Sequence, residues 1–160
     1  MGMATKPRIF LDTSAIFAGI WSETGGGRML LRLGEAGAIV LLTSPLAVEE
    51  LEGAFRAKAP RALGTLALVF DRARVEVTGH PSGDLRTRAD RLVDHPGDAQ
   101  ILASAWEADV DFFVSLDRKH FVDNQRPVEE VPFRVGTPGD CLAWIRERMR
   151  DLADPPDRRS

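Results

Sequence analysis

The chain has 160 residues, 44% of them hydrophobic and 28% charged, with a net charge of -3, one cysteine and three histidines. That length suits one domain with a substantial core. The charge argues against coating nucleic acid by bulk attraction, though a local basic patch stays open. Cys141 has no partner for an internal disulfide, and the histidine and cysteine spacing gives no zinc pattern. No apolar run reaches the roughly 20 residues that span a bilayer, and the N-terminus lacks a signal-peptide core. A cytoplasmic protein is therefore expected.

Met1 to Lys6 read as a loose leader. Arg8 to Asp12 is a short apolar run closing on an acid, the pattern of a buried parallel strand. Thr13 and Ser14 are expected to cap the helix that follows, to Ile20. Thr24-Gly25-Gly26-Gly27 lacks a P-loop lysine, so a joint is favoured over a phosphate cradle. Arg28 to Glu35 is the next helix, ended by Gly37. Ala38 to Thr43 is a second buried strand. Ser44 caps a helix whose first residue is Pro45, where a missing N–H costs nothing, and which runs to about Lys58.

A helix from Pro60 to Arg72 and a short strand at Val75 to Val77 come next, then a turn region from Gly79 to Gly83. Asp84 to Val93 forms a charged helix, broken by Asp94-His95-Pro96-Gly97. Asp98 to Asp109 is helical, and Phe112 to Leu116 is a fourth strand leading into Asp117. Arg118 to Phe121 is expected to be a helical turn, Val122 to Glu130 a polar loop, and Val131 to Val135 the last strand. Thr137-Pro138-Gly139-Asp140 reads as a capping box before a helix to about Leu152. Asp154 to Ser160 reads as a frayed tail. The alternation predicts an α/β fold: one three-layer α/β/α sandwich with a central, mostly parallel sheet of about five strands. The ordered core is expected over about residues 8–150, with 151–160 a flexible tail.

Several acids do not fit a solvated face. Asp12 ends a buried strand, where burying a carboxylate is costly unless something positive meets it. On the Asp98 helix, 100° per residue puts Asp98 near the middle of the stripe of Ile101, Leu102 and Ala105. As a first-turn acid it also has a purely structural reading. On the Ser44 helix Glu49 points into solvent. Glu50 and Glu52 flank the apolar stripe, and periodicity does not choose between them. Asp117 repeats the Asp12 pattern, or simply caps the turn at Arg118. If its strand neighbours the first, the two acids sit roughly 5 Å apart. Carboxylates that close repel, and one is neutralised unless a cation joins them. Oxygen ligands without a histidine or thiol suit Mg²⁺ or Mn²⁺, ions that serve phosphoryl chemistry.

Phe10-Leu11-Asp12-Thr13-Ser14, Ser44-Pro45-Leu46-Ala47-Val48-Glu49-Glu50-Leu51, Asp98-Ala99-Gln100-Ile101-Leu102-Ala103 and Val114-Ser115-Leu116-Asp117-Arg118-Lys119-His120-Phe121 together resemble the PIN-domain ribonucleases, including VapC-like toxins of toxin–antitoxin pairs. The stretch Val135-Gly136-Thr137-Pro138-Gly139-Asp140-Cys141-Leu142-Ala143-Trp144 resembles the family's last strand and helix. The resemblance spans about Arg8 to Arg148. It implies an acidic quartet at Asp12, Glu50, Asp98 and Asp117, with Glu50 selected over Glu52 by its place before Leu51. It also implies one or two Mg²⁺ or Mn²⁺ ions, with Asp12, Asp98 and Asp117 as ligands and Glu50 binding directly or through water.

Thr13, Ser14 and Ser115 are then expected beside the ligands or the substrate phosphate, and Arg118 and Lys119 along the RNA backbone, with Arg28 a weaker candidate. His95 stands where many relatives carry an acid. The implied function is metal-dependent cleavage of RNA, with an antitoxin partner and a homodimer. Three rivals remain. A haloacid-dehalogenase-like phosphatase lacks its second aspartate, because Ser14 holds that position. The others are a related DNA nuclease, and a PIN-like module that binds RNA or protein without turnover.

Overall fold

The computed structural model describes residues 5–153, so the expected tail at Asp154 to Ser160, and the leader before Thr5, lie outside the described residues. Five strands, β1 (Arg8–Leu11), β2 (Val40–Thr43), β3 (Glu76–Val77), β4 (Phe112–Val114) and β5 (Arg134–Gly136), form one sheet. Its order is β3-β2-β1-β4-β5, and all four pairings are parallel. The chain leaves β1 toward one edge to lay down β2 and β3, then returns to the other side for β4 and β5. The reversal opens a crevice beyond the carboxyl ends of β1 and β4, the position where open α/β sheets bind ligands.

Alternation along each strand sends side chains to two cores. Ile9, Leu11, Leu41, Phe112 and Val114 face one cluster. It is completed by α1 (Thr13–Trp21), α2 (Gly26–Glu35), α4 (Leu63–Ala73) and α8 (Pro138–Ala153). Phe10, Leu42 and Phe113 face the other, with α5 (Gly83–Asp90) and α6 (Pro96–Glu107). Phe10 and Phe113 stack there with ring centroids 5.3 Å apart. α3 (Pro45–Lys58) edges both clusters, placing Ala47 in one and Leu51 and Phe55 in the other. This is the expected three-layer sandwich.

Local signals behave largely as the sequence dictates. Ser44 accepts a bond from the Ala47 amide at 3.2 Å, with Pro45 first in the helix. Thr137 and Asp140 exchange reciprocal capping bonds of 2.9 and 3.1 Å. Gly37 ends α2 with φ +76°, a conformation glycine adopts without penalty. The triple glycine is a close helix contact: a Cβ on Gly27 would lie 3.0 Å from the Ala15 carbonyl oxygen and the Gly19 amide of α1.

Two expectations fail near the end of the chain. The stretch read as polar loop contains α7 (Gln125–Glu130), capped by Asn124. The last strand starts at Arg134 rather than Val131. Val131 and Phe133 are buried core residues outside the ladder, and Pro132 between them has no N–H to donate. Among the described residues, no helix is long and apolar enough to cross a membrane.

Candidate functional site

Asp12 follows β1 directly and stands at the N-cap position of α1, yet its side chain makes no capping bond. It is 6% exposed, and hydroxyls meet it. Ser115 Oγ donates to its Oδ2 at 2.8 Å, and Ser14 Oγ donates to the same oxygen at 3.3 Å. The expectation that Thr13 and Ser14 cap α1 is therefore corrected. They lie inside the first turn of the helix, where Ser14 turns to the acid. The pairing of Leu11 with Val114, carried one residue on, sets Ser115 opposite Asp12. Asp117 lies two residues further and is not the strand-to-strand neighbour expected from the sequence. Ser115 links the two acids instead, since its Oγ also accepts the Asp117 amide at 3.0 Å.

Asp117 caps a π-helical turn, Arg118–Val122. Its Oδ1 accepts the His120 amide at 3.0 Å, and its Oδ2 lies 2.8 Å from His120 Nδ1. Asp98 is the third residue of α6, whose N-cap position belongs to His95. Asp98, Asp117 and His120 each offer one ligand atom, and these atoms all lie within 4.8 Å of one another. Asp12 and Glu50 fall outside that group. His95 joins from behind, its ring edge-to-face on His120 with centroids 4.8 Å apart.

Glu50 is exposed but turned inward. Thr13 Oγ1 donates to its Oε2 at 3.0 Å, and its Oε1 lies beside Gly97 in the first turn of α6. Glu52 points elsewhere, 3.7 Å from Arg56. Of the cations, Arg118 pairs with Asp123 at 3.4 Å and Lys119 is exposed. The Arg28 guanidinium bonds the carbonyls of Ile20 and Ser22 at 2.9 and 3.4 Å and so closes the C-terminus of α1.

The electrostatics follow from the burial. Burial pushes the Asp12 carboxyl up from 3.8 to about 6. The charges of Asp98 and Glu50 add to this, against the Ser115 hydroxyl and the Thr13 amide. Burial also raises Asp98; there the Asp117 charge adds, while His120 and His95 oppose it. Carboxylates held above their ordinary range and facing one another across a crevice suit a divalent cation. The donor set differs in one respect from the oxygen-only set expected from the sequence, because it includes an imidazole. The linear spacing of the histidines gives no sign of His120. Its position three residues after Asp117, within reach of the same carboxylate around one turn, was the signal that could have found it.

No family model matches the chain, and no curated protein matches it in sequence. Solved structures do match in fold. VapBC2 from Rickettsia felis, bound to a DNA fragment from their promoter, aligns over 81% of this chain and 98% of its own, with a TM-score of 0.60 and 16% identity. DNA-bound VapBC from Salmonella typhimurium covers 82% and 98%, with a TM-score of 0.60 and 18% identity. FitAcB from Neisseria gonorrhoeae covers 82% and 98%, with a TM-score of 0.52 and 16% identity. At these identities the likeness is one of fold, and the chain has the PIN-like α/β fold that these structures share.

Proposed function

We propose that the chain is a divalent-metal-dependent endoribonuclease, the toxin half of a toxin–antitoxin pair, hydrolysing RNA phosphodiesters at the carboxyl edge of β1 and β4. The observation that carries this reading is the convergence of Asp98, from α6, and Asp117, from the turn after β4, to within 4.8 Å, with the buried Asp12 close enough to feel the Asp98 charge. The donor set fits Mg²⁺ or Mn²⁺. Asp98 and Asp117 would hold one ion, with Asp12 and Glu50 completing its surroundings, directly or through water, or holding a second. When bound, such an ion polarises a phosphate oxygen and lowers the pKa of a water.

The chain's own residues set up the rest. Ser115 and Ser14 fix the Asp12 carboxylate by hydroxyl bonds at one edge of the crevice. Thr13 holds Glu50 toward the first turn of α6. Arg118 and Lys119, just beyond Asp117, meet the RNA backbone as it leaves the crevice. In this reading the partner is an antitoxin protein, as the VapBC and FitAcB neighbours suggest, and the toxin forms a homodimer.

Incubation of a mixed RNA pool with the wild type, with and without Mn²⁺, tests the reading against Asp98→Asn. Cleavage is expected only from the wild type with metal. The metal-free variant should melt at or above the wild-type temperature, because it relieves repulsion among the acids. An Asp98→Asn protein that unfolds would make Asp98 a structural residue and sink the assignment. Cleavage of a matched DNA pool instead of RNA would redirect the reading to a DNA nuclease. Metal-independent binding of RNA without cutting would redirect it to a binding module.

A further inference from the structure

Asp117 holds His120 in two ways. Capping a turn requires only the bond from the His120 amide to Oδ1, at 3.0 Å. The second bond, between Oδ2 and Nδ1 at 2.8 Å, adds nothing to the cap and fixes the ring. His95 packs edge-to-face on the same ring, with centroids 4.8 Å apart. The proton between Nδ1 and Oδ2 is the one an ion displaces: with the remaining ring proton on Nε2, the Nδ1 lone pair and Oδ2, 2.8 Å apart, can meet one ion. A His120 ring nitrogen also lies in the group of ligand atoms spaced within 4.8 Å, with Asp98 and Asp117.

We propose that His120 is a nitrogen ligand of the metal site, so that Asp98, Asp117 and His120 form a mixed carboxylate–imidazole centre that takes Mn²⁺ in preference to Mg²⁺. The proposal rests on the reading above that this crevice binds a divalent ion. Mg²⁺ demands oxygen donors and gives up its waters reluctantly. Imidazole binds first-row transition ions far better, so one ring nitrogen tilts the site toward them.

The test uses the full chain, freed of metal, with Mn²⁺ and Mg²⁺ as the probes. Calorimetric titration gives the two affinities, and pulsed electron paramagnetic resonance of bound Mn²⁺ reports any coordinated nitrogen. Nitrogen coupling is expected in the wild type and in His95→Ala, and is expected to vanish in His120→Ala. Mn²⁺ binding should weaken about 10- to 100-fold in that variant, with Mg²⁺ binding changing much less. Wild-type protein carrying ¹⁵N-histidine should show the coupling of ¹⁵N in place of ¹⁴N, a readout that needs no variant to fold. Mn²⁺ bound without nitrogen coupling, or with coupling that survives His120→Ala, overturns the proposal and leaves the metal site standing. A folded wild type that binds no Mn²⁺ at millimolar concentration overturns both.

Discussion

Two neighbouring strand–helix junctions use nearly the same residues for different ends. β2 closes as Leu42-Thr43-Ser44-Pro45, and its hydroxyls serve the backbone. Thr43 Oγ1 donates to the Leu11 carbonyl at 2.8 Å, and Ser44 caps α3 at 3.2 Å. β1 closes as Leu11-Asp12-Thr13-Ser14, and Asp12, at the N-cap position of α1, makes no capping bond. The junction's polar atoms turn instead to Glu50, to Asp12 and, across the crevice, to the Leu116 amide. A junction whose polar atoms satisfy backbone groups is structural. One whose hydroxyls hold carboxylates in place, at the switch point of the sheet, is the junction that the proposed function assigns to a ligand. The difference shows in charge: the β1 junction carries a buried acid shifted to about 6, and the β2 junction carries no titratable group.

The largest expected effect is on catalysis. Asp98→Asn removes a carboxylate from the crevice, and RNA cleavage should fall by at least about 10²- to 10³-fold, the loss seen when one member of a preorganised charge-stabilising set is removed. Metal linkage should go with it. Mn²⁺ at about 100 times its Kd stabilises a binding protein by about 2.7 kcal/mol, so melting curves should move with Mn²⁺ in the wild type and stay still in the variant. If both proteins respond alike, the crevice is not where the ion binds.

Next is Asp12→Asn without metal. The folded-state pKa of Asp12, about 6, stands above its ordinary 3.8, so the native state binds this proton more tightly than the unfolded chain. The group is harmless below pH 3.8, costs more as pH rises toward 6, and exerts its full penalty above that. At roughly 1.4 kcal/mol per pH unit the penalty approaches about 3 kcal/mol. The variant should therefore match the wild type near pH 4 and exceed it at pH 7, as denaturant melts at the two pH values would measure. Saturating Mn²⁺ should close the gap by stabilising the wild-type carboxylate.

Much of this was legible in the sequence, and the failures have physical causes. The three-residue apolar runs Ile9 to Leu11 and Phe112 to Val114 mark β1 and β4 because buried parallel strands need no alternation. Periodicity left Glu50 and Glu52 unresolved; the tertiary bond from Thr13 to Glu50 distinguishes them. Strand register could not be read from composition, so Asp117 was set against Asp12 where Ser115 stands. α7 escaped because six residues with a proline in the first turn carry too little helical pattern. His95 and His120 are 25 positions apart in the chain, and their contact exists only once α6 and the turn after β4 are folded side by side.

A smaller effect separates the two roles of Ser115. Its hydroxyl donates to Asp12 and accepts from the Asp117 amide, so Ser115→Ala leaves a buried carboxylate short of a donor. The loss should be about 2 kcal/mol at pH 7, where the bond is to a charge. Near pH 4 it should be smaller, because a protonated Asp12 no longer needs that donor as strongly. A loss independent of pH would mean that Ser115 merely fills space.

The smallest effect belongs to the comparison junction. Ser44→Ala removes the cap of α3 and should cost about 1 kcal/mol, a fall of roughly 2–4 °C in Tm for a chain of this size. Because neither Ser44 nor Thr43 contacts an ionisable side chain through its hydroxyl, the loss should be equal at pH 4 and pH 7. Mn²⁺-dependent cleavage, measured where the protein is fully folded, should be unchanged. A Ser44→Ala protein that lost cleavage while folded, or whose loss of stability varied with pH as Asp12→Asn does, would show that the two junctions are coupled through the sheet. The separation of a structural end of β2 from a ligand-binding end of β1 would then fail. Equal losses at both pH values with full activity would confine the charge-bearing function to β1 and β4.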